Sequence, residues 1–140
     1  MGIIKDSVDA VVTAINAGSY SQSFTAQKNY RPALTLDDRS LGVFVWPESY
    51  DRTVDTRGRL NWTTVRVSVY VRKGVTVPTG SANTSDVDSM LDLVDEIIAQ
   101  ITTAETSIVE ISSEGAYDGG RLYNDSDFAV VITATIRKMV

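Results

Sequence analysis

The sequence contains no cysteine and no histidine among its 140 residues. The lack of cysteine excludes disulfide frameworks and thiol nucleophiles, and the lack of both residues excludes zinc sites built from them. Hydrolytic mechanisms that use a histidine base are excluded for the same reason. A glycine-rich phosphate loop is also missing. We therefore expect no enzymatic activity, no cofactor and no bound metal.

Long hydrophobic runs and an excess of positive charge are missing too. No run reaches the roughly 18 apolar residues of a membrane-spanning helix, and we expect no signal peptide. Lysine and arginine total 13 against 18 acidic residues, and the net charge of −5 argues against non-specific nucleic-acid binding. The length and the 43% hydrophobic content predict one globular domain over residues 1–140.

The clearest secondary-structure signal is the segment Leu60–Lys73, which reads LNWTTVRVSVYVRK. Its valines occupy every second position from Val65 to Val71, with polar residues and a tyrosine between them. Because side chains two apart on a strand share a face, this alternation predicts a central β-strand with one apolar and one polar face.

Two segments show helical spacing of apolar residues. The first, residues 3–17, is followed by Gly18, which suits a helix end. The second is predicted to begin at Thr84 or Ser85 as its cap and to extend through Ile101. We expect the apolar stripe of the second helix to cover the valine face of the central strand.

Four more strands are expected, over residues 21–30, 41–46, 107–113 and 127–139. Proline is predicted to end the second of these at Pro47. The order of helix, three strands, helix and two strands lacks strict βαβ alternation. It favours the α+β class, with a mixed, mostly antiparallel β-sheet and two α-helices packed on one face.

The most charged stretch lies between the second strand and the central strand, and we predict a loop there. Long loops in compact domains are often binding loops, so the alternatives are a solvated loop and a loop that orders on a neighbouring subunit. We expect deletion of residues 50–57 to leave the fold intact. The candidate interaction residues are Glu48, Asp51, Arg52, Asp55, Arg57 and Arg59.

Two acidic groups resemble metal sites. Asp92, Asp95 and Glu96 are predicted on the polar side of the second helix, where a solvated acidic face is favoured over metal or acid–base chemistry. The segment Asn124–Asp127 resembles the start of a calcium loop but lacks its glycine and distal glutamate, so we interpret it as a turn into the last strand.

A set of short motifs, in this order and spacing, resembles the tail terminators, or tail completion proteins, that join head to tail in tailed bacteriophages. The similarity covers most of the chain up to residue 107. The motifs are Phe24-Thr-Ala26, Tyr30-Arg-Pro32, Val43-Phe-Val45-Trp-Pro47, the alternating strand Val65–Lys73 and the helical segment Leu91–Ile97.

The resemblance implies a mixed sheet with two helices on one face, in a structural protein of the virion neck that is assembled in the host cytoplasm. It implies a homo-hexameric ring that caps the tail tube, ends tail polymerisation and presents a surface to the head-completion protein. The implied partners are therefore other copies of the chain, the tail tube protein and the head-completion protein. DNA would pass through the lumen without specific binding, and the acidic balance suits this because like charges repel phosphate.

Two alternatives remain open. One is another phage structural part, such as a head-tail adaptor or a tail tube subunit, although two clear helices suit a tube subunit less well. The other is a small ligand-binding domain, which would need a pocket built from carboxylates because histidine and cysteine are absent.

Overall fold

The computed structural model describes residues 2–28, 41–54, 61–74, 84–104, 108–114 and 127–139. Within these residues the chain forms two helices and one five-stranded sheet. In chain order the elements are α1 (Ile3–Asn16), β1 (Gln27–Lys28), β2 (Gly42–Val54), β3 (Asn61–Gly74), α2 (Thr84–Ala104), β4 (Ile108–Glu114) and β5 (Asp127–Met139).

The sheet has the strand order β1-β2-β3-β5-β4, which places β3 at its centre. The two-residue strand β1 runs parallel to β2, and the other three pairings are antiparallel. The predicted mixed, mostly antiparallel sheet with a central strand is therefore confirmed.

The valine face of β3 forms the floor of the core. Val65, Val67, Val69 and Val71 are fully buried, in one cluster with apolar side chains of α1, α2, β2 and β5. Both helices thus cover the apolar face of the sheet. This arrangement confirms the predicted α+β fold class.

Both predicted helices are present, and each turns an apolar stripe to the core. Val8, Val11 and Ile15 of α1 are fully buried, and α1 ends two residues before Gly18. In α2 the centre of the stripe includes Leu93, while Leu91 and Ile98 pack at its margin. The hydrogen-bonding side chains of the first turn of α2 lie outside the described residues.

The strand predicted over residues 21–30 is largely wrong, because only Gln27–Lys28 is a strand and residues 21–26 are irregular. Side chains of the helices satisfy this backbone instead. The Ala26 amide donates to the Asn16 side chain at 2.8 Å, and the Ser21 amide donates to Glu96 at 3.1 Å. Residues 29 and 30 lie outside the described part.

The predicted end of the second strand at Pro47 is also wrong. Strand β2 continues to Val54 and pairs with β3 as far as the Val54–Asn61 pair, with a register shift between Pro47 and Ser49. Among the described residues, β1 pairs with Phe44 and Val45 alone. Pro47 lies beyond this pairing and at the start of a bulge, where proline is tolerated.

Because β2 extends to Val54, the prediction of a charged loop is wrong for residues 48–54. Glu48, Asp51 and Arg52 belong to β2 rather than to a connector. The polar composition suggested a loop, but polar side chains also suit a strand whose outer face is not in the core. Residues 50–54 are therefore part of the sheet, which removes the reason for expecting residues 50–57 to be dispensable.

The last two predicted strands, β4 and β5, are both present on the other side of β3. Strand β5 has the predicted bounds, and Val130, Ile132, Ala134 and Ile136 share the core face. Strand β4 has a register shift between Ile108 and Glu110. Ile108 packs against the core, and the next residue, Val109, is exposed.

Several predicted features lie outside the described residues. They are the charged residues Asp55, Arg57 and Arg59 and residues 124–126 of the segment interpreted as a turn. Of the helices that the structure describes, none combines the length and the hydropathy needed to cross a membrane.

Candidate interaction surface

The face of the sheet opposite the helices carries a broad cavity of about 730 Å³. We call it the polar-face cavity. Side chains from four strands line it, and most of them are polar: Trp46, Glu48, Arg66, Ser68, Glu110, Ser112, Val131, Thr133 and Thr135.

Strand register brings these residues together. One row of directly paired positions crosses four strands through Trp46, Ser68, Thr133 and Ser112. A second row crosses through Ser49, Arg66, Thr135 and Glu110. Paired residues in neighbouring strands point to the same face, so residues far apart in sequence line one surface.

The bulge in β2 places Glu48 on this surface. The register shifts between Pro47 and Ser49, which leaves Glu48 as the extra residue of the strand. The hydroxyl of Ser68 donates a hydrogen bond of 2.8 Å to Glu48 Oε2. Because Ser68 is fully buried on the central strand, it holds the carboxylate at a defined position.

The guanidinium of Arg66 is also held by hydrogen bonds to neighbouring side chains. Arg66 Nη1 donates to Asp51 Oδ2 at 2.7 Å and to Ser49 Oγ at 3.2 Å. Both partners lie on β2, so the guanidinium bridges two strands of the hairpin. Asp51 thus compensates the charge of Arg66, while Glu48 and Glu110 contribute two further negative charges to the cavity region.

An aromatic pair forms the apolar part of this surface. The rings of Trp46 and Tyr70 are 6.0 Å apart, centre to centre, and tilted by 37°. Tyr70 is buried, and its hydroxyl has no hydrogen-bond partner within the described part of the chain. Trp46 is half-buried and presents part of its indole at the cavity, which suits a contact surface.

The predicted interaction residues that the structure describes therefore take different positions relative to the cavity. Glu48 lines the cavity and Asp51 supports its wall, whereas Arg52 follows Asp51 in β2 and its side chain lies outside the described residues. Trp62 is 40% exposed near the end of the β2–β3 hairpin, and Tyr50 is 43% exposed. Neither of these two aromatic residues is among the described residues that line the cavity.

Sequence reasoning missed the cavity residues on the other strands. The alternation in β3 already assigned Arg66 and Ser68 to a polar face, but no local signal gave their partners on β4 and β5. Thr133 and Thr135 alternate with the buried residues of β5, so their face was predictable while their neighbours were not. Glu110 depends on the bulge in β4.

Hydrogen-bonding groups make up most of the cavity lining. Its hydroxyls, two carboxylates and one guanidinium are hydrogen-bonding groups, and none of them forms a nucleophile–base pair with a histidine or cysteine. In the residues that the structure describes, no cluster of three or more acidic side chains is arranged to hold a metal ion. On α2, Glu96 instead accepts hydrogen bonds from Ser21.

No protein-family model matches the chain, and no curated protein matches it either.

Proposed function

We propose that this protein is a structural assembly protein of the tail-terminator type. It forms a ring that caps the tail tube, ends tail polymerisation and joins the tail to the head. The observation that carries this proposal is the polar-face cavity, a surface of mixed charge that four strands build on the side of the sheet away from both helices.

The character of this surface favours a protein partner. Arg66 and Glu48 are already held by neighbouring side chains, so their positions are fixed before a partner arrives. Fixed polar groups around a half-buried aromatic residue are typical of specific protein interfaces. The fold supports the same proposal, because a mixed sheet with two helices on one face is the fold that the motif resemblance implies.

The charge of the chain suits the passage of DNA. The outer side of α2 carries Asp88, Asp92 and Asp95, all exposed, and the whole chain has a net charge of −5. A ring of such subunits repels phosphate, which lets DNA slide through the lumen without binding. In this proposal the protein is assembled in the host cytoplasm and resides in the virion neck.

Native mass spectrometry over a wide range of protein concentration, with negative-stain images of the same samples, tests the proposal first. We expect a closed ring, with six subunits as the implied number. If the protein stays monomeric in solution, purified tail tubes provide the second test, because ring closure on the tube end would still cap it. A protein that forms no ring and does not cap tubes would contradict the proposal.

A small-ligand site is the second candidate, and the size of the cavity is the observation that favours it. Ligand pockets commonly have volumes of about 300–1,000 Å³, and this cavity has about 730 Å³. Such pockets are predominantly apolar, however, and this one is lined mainly by polar side chains. A thermal-shift screen of small molecules distinguishes the candidates, because a ligand site predicts saturable stabilisation of the monomer.

A further inference from the structure

We infer that the polar-face cavity binds the side chain of a lysine on the protein partner that docks on this face of the sheet. This inference rests on the proposed function and specifies the chemistry of one of its protein contacts. The ammonium group of the lysine lies at the charged end of the cavity, and its aliphatic stem extends toward the apolar end.

The charge that remains available in the cavity is negative. Among the described residues that line it, Arg66 is the one cation, and Asp51 already compensates it at 2.7 Å. Glu48 and Glu110 form no ion pair with any described residue. An anion would therefore meet two carboxylates without a free cation, whereas a cation is attracted by both. The cavity selects a positively charged group.

Thr135 adds a hydrogen-bonding group at the same end of the cavity. Its side chain lines the cavity although the residue is only 8% exposed, and strand register places it directly between Arg66 and Glu110. Within the described part of the chain its hydroxyl has no hydrogen-bond partner. Buried hydroxyls normally have one, and a bound ammonium group supplies N–H donors to this oxygen and to the carboxylates together.

These groups suit an ammonium ion better than a metal ion. Hard metal ions need several oxygen ligands at once, and the described residues contain no group of three or more acidic side chains that could supply them. One oxygen of Glu48 already accepts the Ser68 hydroxyl at 2.8 Å. An ammonium ion needs only three acceptors, which carboxylates and hydroxyls provide.

The opposite end of the cavity selects the aliphatic stem. Trp46 and Val131 are its apolar lining residues. Val131 precedes Thr135 by four residues on β5, which is about 13 Å at about 3.3 Å per residue, and the hydroxyl residue Thr133 lies between them. A lysine lays its four-carbon stem along apolar surface and carries one charge at the tip. A free polyamine is charged at both ends, so one of its charges would lie at the apolar end.

Two small probes test the site directly. They are Nα-acetyl-lysine methylamide and Nα-acetyl-norleucine methylamide, which share a four-carbon stem and differ in the ammonium group. A Trp62→Phe chain keeps Trp46 as its single tryptophan, so fluorescence reports binding at the cavity.

We expect the lysine probe to bind saturably and at least about tenfold more tightly than the norleucine probe, because hydrogen bonds to charged groups are the stronger ones. Equal affinities of the two probes, or no saturable binding of the lysine probe, would contradict the inference.

Removing the two carboxylate charges gives a matched test. The cavity variant, Glu48→Gln with Glu110→Gln, keeps the size of both side chains and should lose the preference for the lysine probe. A control variant, Asp88→Asn with Asp92→Asn, makes the same change in net charge on the exposed side of α2 and should keep that preference. Circular dichroism and melting establish that each variant is folded. An equal loss in both variants would mean that the overall charge attracts the probe, and the inference would be wrong.

Assembly of the same variants separates the inference from the proposed function. We expect the cavity variant to form rings or cap tail tubes at least about tenfold more weakly than the wild type, and the control variant to assemble like the wild type. If the cavity variant assembles as well as the wild type, while spermidine and the lysine probe bind the wild type alone, the cavity takes a free amine. The inference is then wrong and the proposed function stands. If the wild type neither forms rings nor caps tubes, both fail.

Discussion

Ser68 and Glu48 are joined by a hydrogen bond of 2.8 Å across the β2–β3 pair, from a fully buried hydroxyl to an exposed carboxylate. The bond exists because the bulge after Pro47 adds one residue to β2 and keeps Glu48 on the polar face. The sequence around Glu48 predicts a loop, but this hydrogen bond fixes its carboxylate against the central strand of the sheet.

Replacing Ser68 by alanine tests the strength of this link. We expect Ser68→Ala to lower the free energy of unfolding by about 1 kcal/mol, because the hydrogen bond is lost while the exposed Glu48 carboxylate regains water. Urea denaturation measures the change. Ser112→Ala, on the exposed part of the same row, serves as the control and should change stability little; equal effects of the two substitutions would contradict the assigned role of Ser68.

Gly18 lies where α1 and α2 approach each other closely. A Cβ atom at this position would be 2.7 Å from the Tyr20 hydroxyl and 2.8 Å from Gln100. Both side chains are held by hydrogen bonds to α1, at 2.6 Å to the Ile15 carbonyl and at 3.1 Å to the Ala14 carbonyl. The space around Gly18 is therefore filled by side chains that cannot move without losing these bonds.

We expect Gly18→Ala to destabilise the protein by about 1–2 kcal/mol, since the added methyl group must displace one of these side chains. The matched control is Gly2→Ala, where the nearest atom to an added Cβ is 3.8 Å away. Thermal melting of the two variants checks the difference, and an equal melting temperature for both would show that the packing around Gly18 yields easily.

The sequence predicts best those elements in which the spacing of apolar residues shows which face is buried. The valines of β3 and the apolar residues of β5 repeat every second position, and the stripes of α1 and α2 repeat with the helical period. Burial on one face decides both patterns. The fold class follows from the order of these elements along the chain.

The parts that sequence did not predict depend on long-range pairing. Residues 48–54 look like a loop because they are polar, yet β3 offers them a partner strand, and Pro47 is accepted at the bulge. Residues 21–26 look like a strand, yet the side chains of Asn16 and Glu96 satisfy their backbone. The cavity follows from register across four strands, which no local segment encodes.

The extended β2 strand changes the expected effect of deleting residues 50–57. The deletion removes β2 residues that pair with Trp62, Thr63, Thr64 and Val65, and it removes the Asp51 carboxylate that binds Arg66. We now expect a clearly lower melting temperature rather than an intact fold. An unchanged thermal transition would mean that the end of the hairpin contributes nothing to the stability of the sheet.

Asp9 gives the pH dependence of stability a defined direction. Hydrogen bonds from Lys28 at 2.9 Å and from Lys5 at 3.0 Å hold the pKa of its exposed carboxyl below the ordinary value of 3.8. A carboxyl whose pKa is lowered by folding stabilises the folded state above its unfolded pKa, and this contribution is lost as pH falls through the folded pKa.

We therefore expect Asp9→Asn to melt slightly below the wild type at neutral pH, with a difference that disappears as the pH falls through the lowered pKa of Asp9 in the folded protein. Melting curves from pH 7 down to about pH 2 measure the difference. Asp92→Asn removes the same charge from an exposed position on α2 and is the control. A difference for Asp9→Asn that grows as the pH falls would contradict the assigned ion pairs.

Val67 tests the central strand itself. It is fully buried under both helices at the middle of β3, so Val67→Asp places a charge where neither water nor a cation can compensate it. Because small domains have only about 5–15 kcal/mol of stability in total, we expect this variant to lose its cooperative unfolding transition. Val109→Asp is the matched control, since Val109 is 56% exposed at the bulge of β4, and it should keep a near-native circular dichroism spectrum. A soluble Val67→Asp protein with the same spectrum as the control would show that β3 does not pack its valine face against the helices.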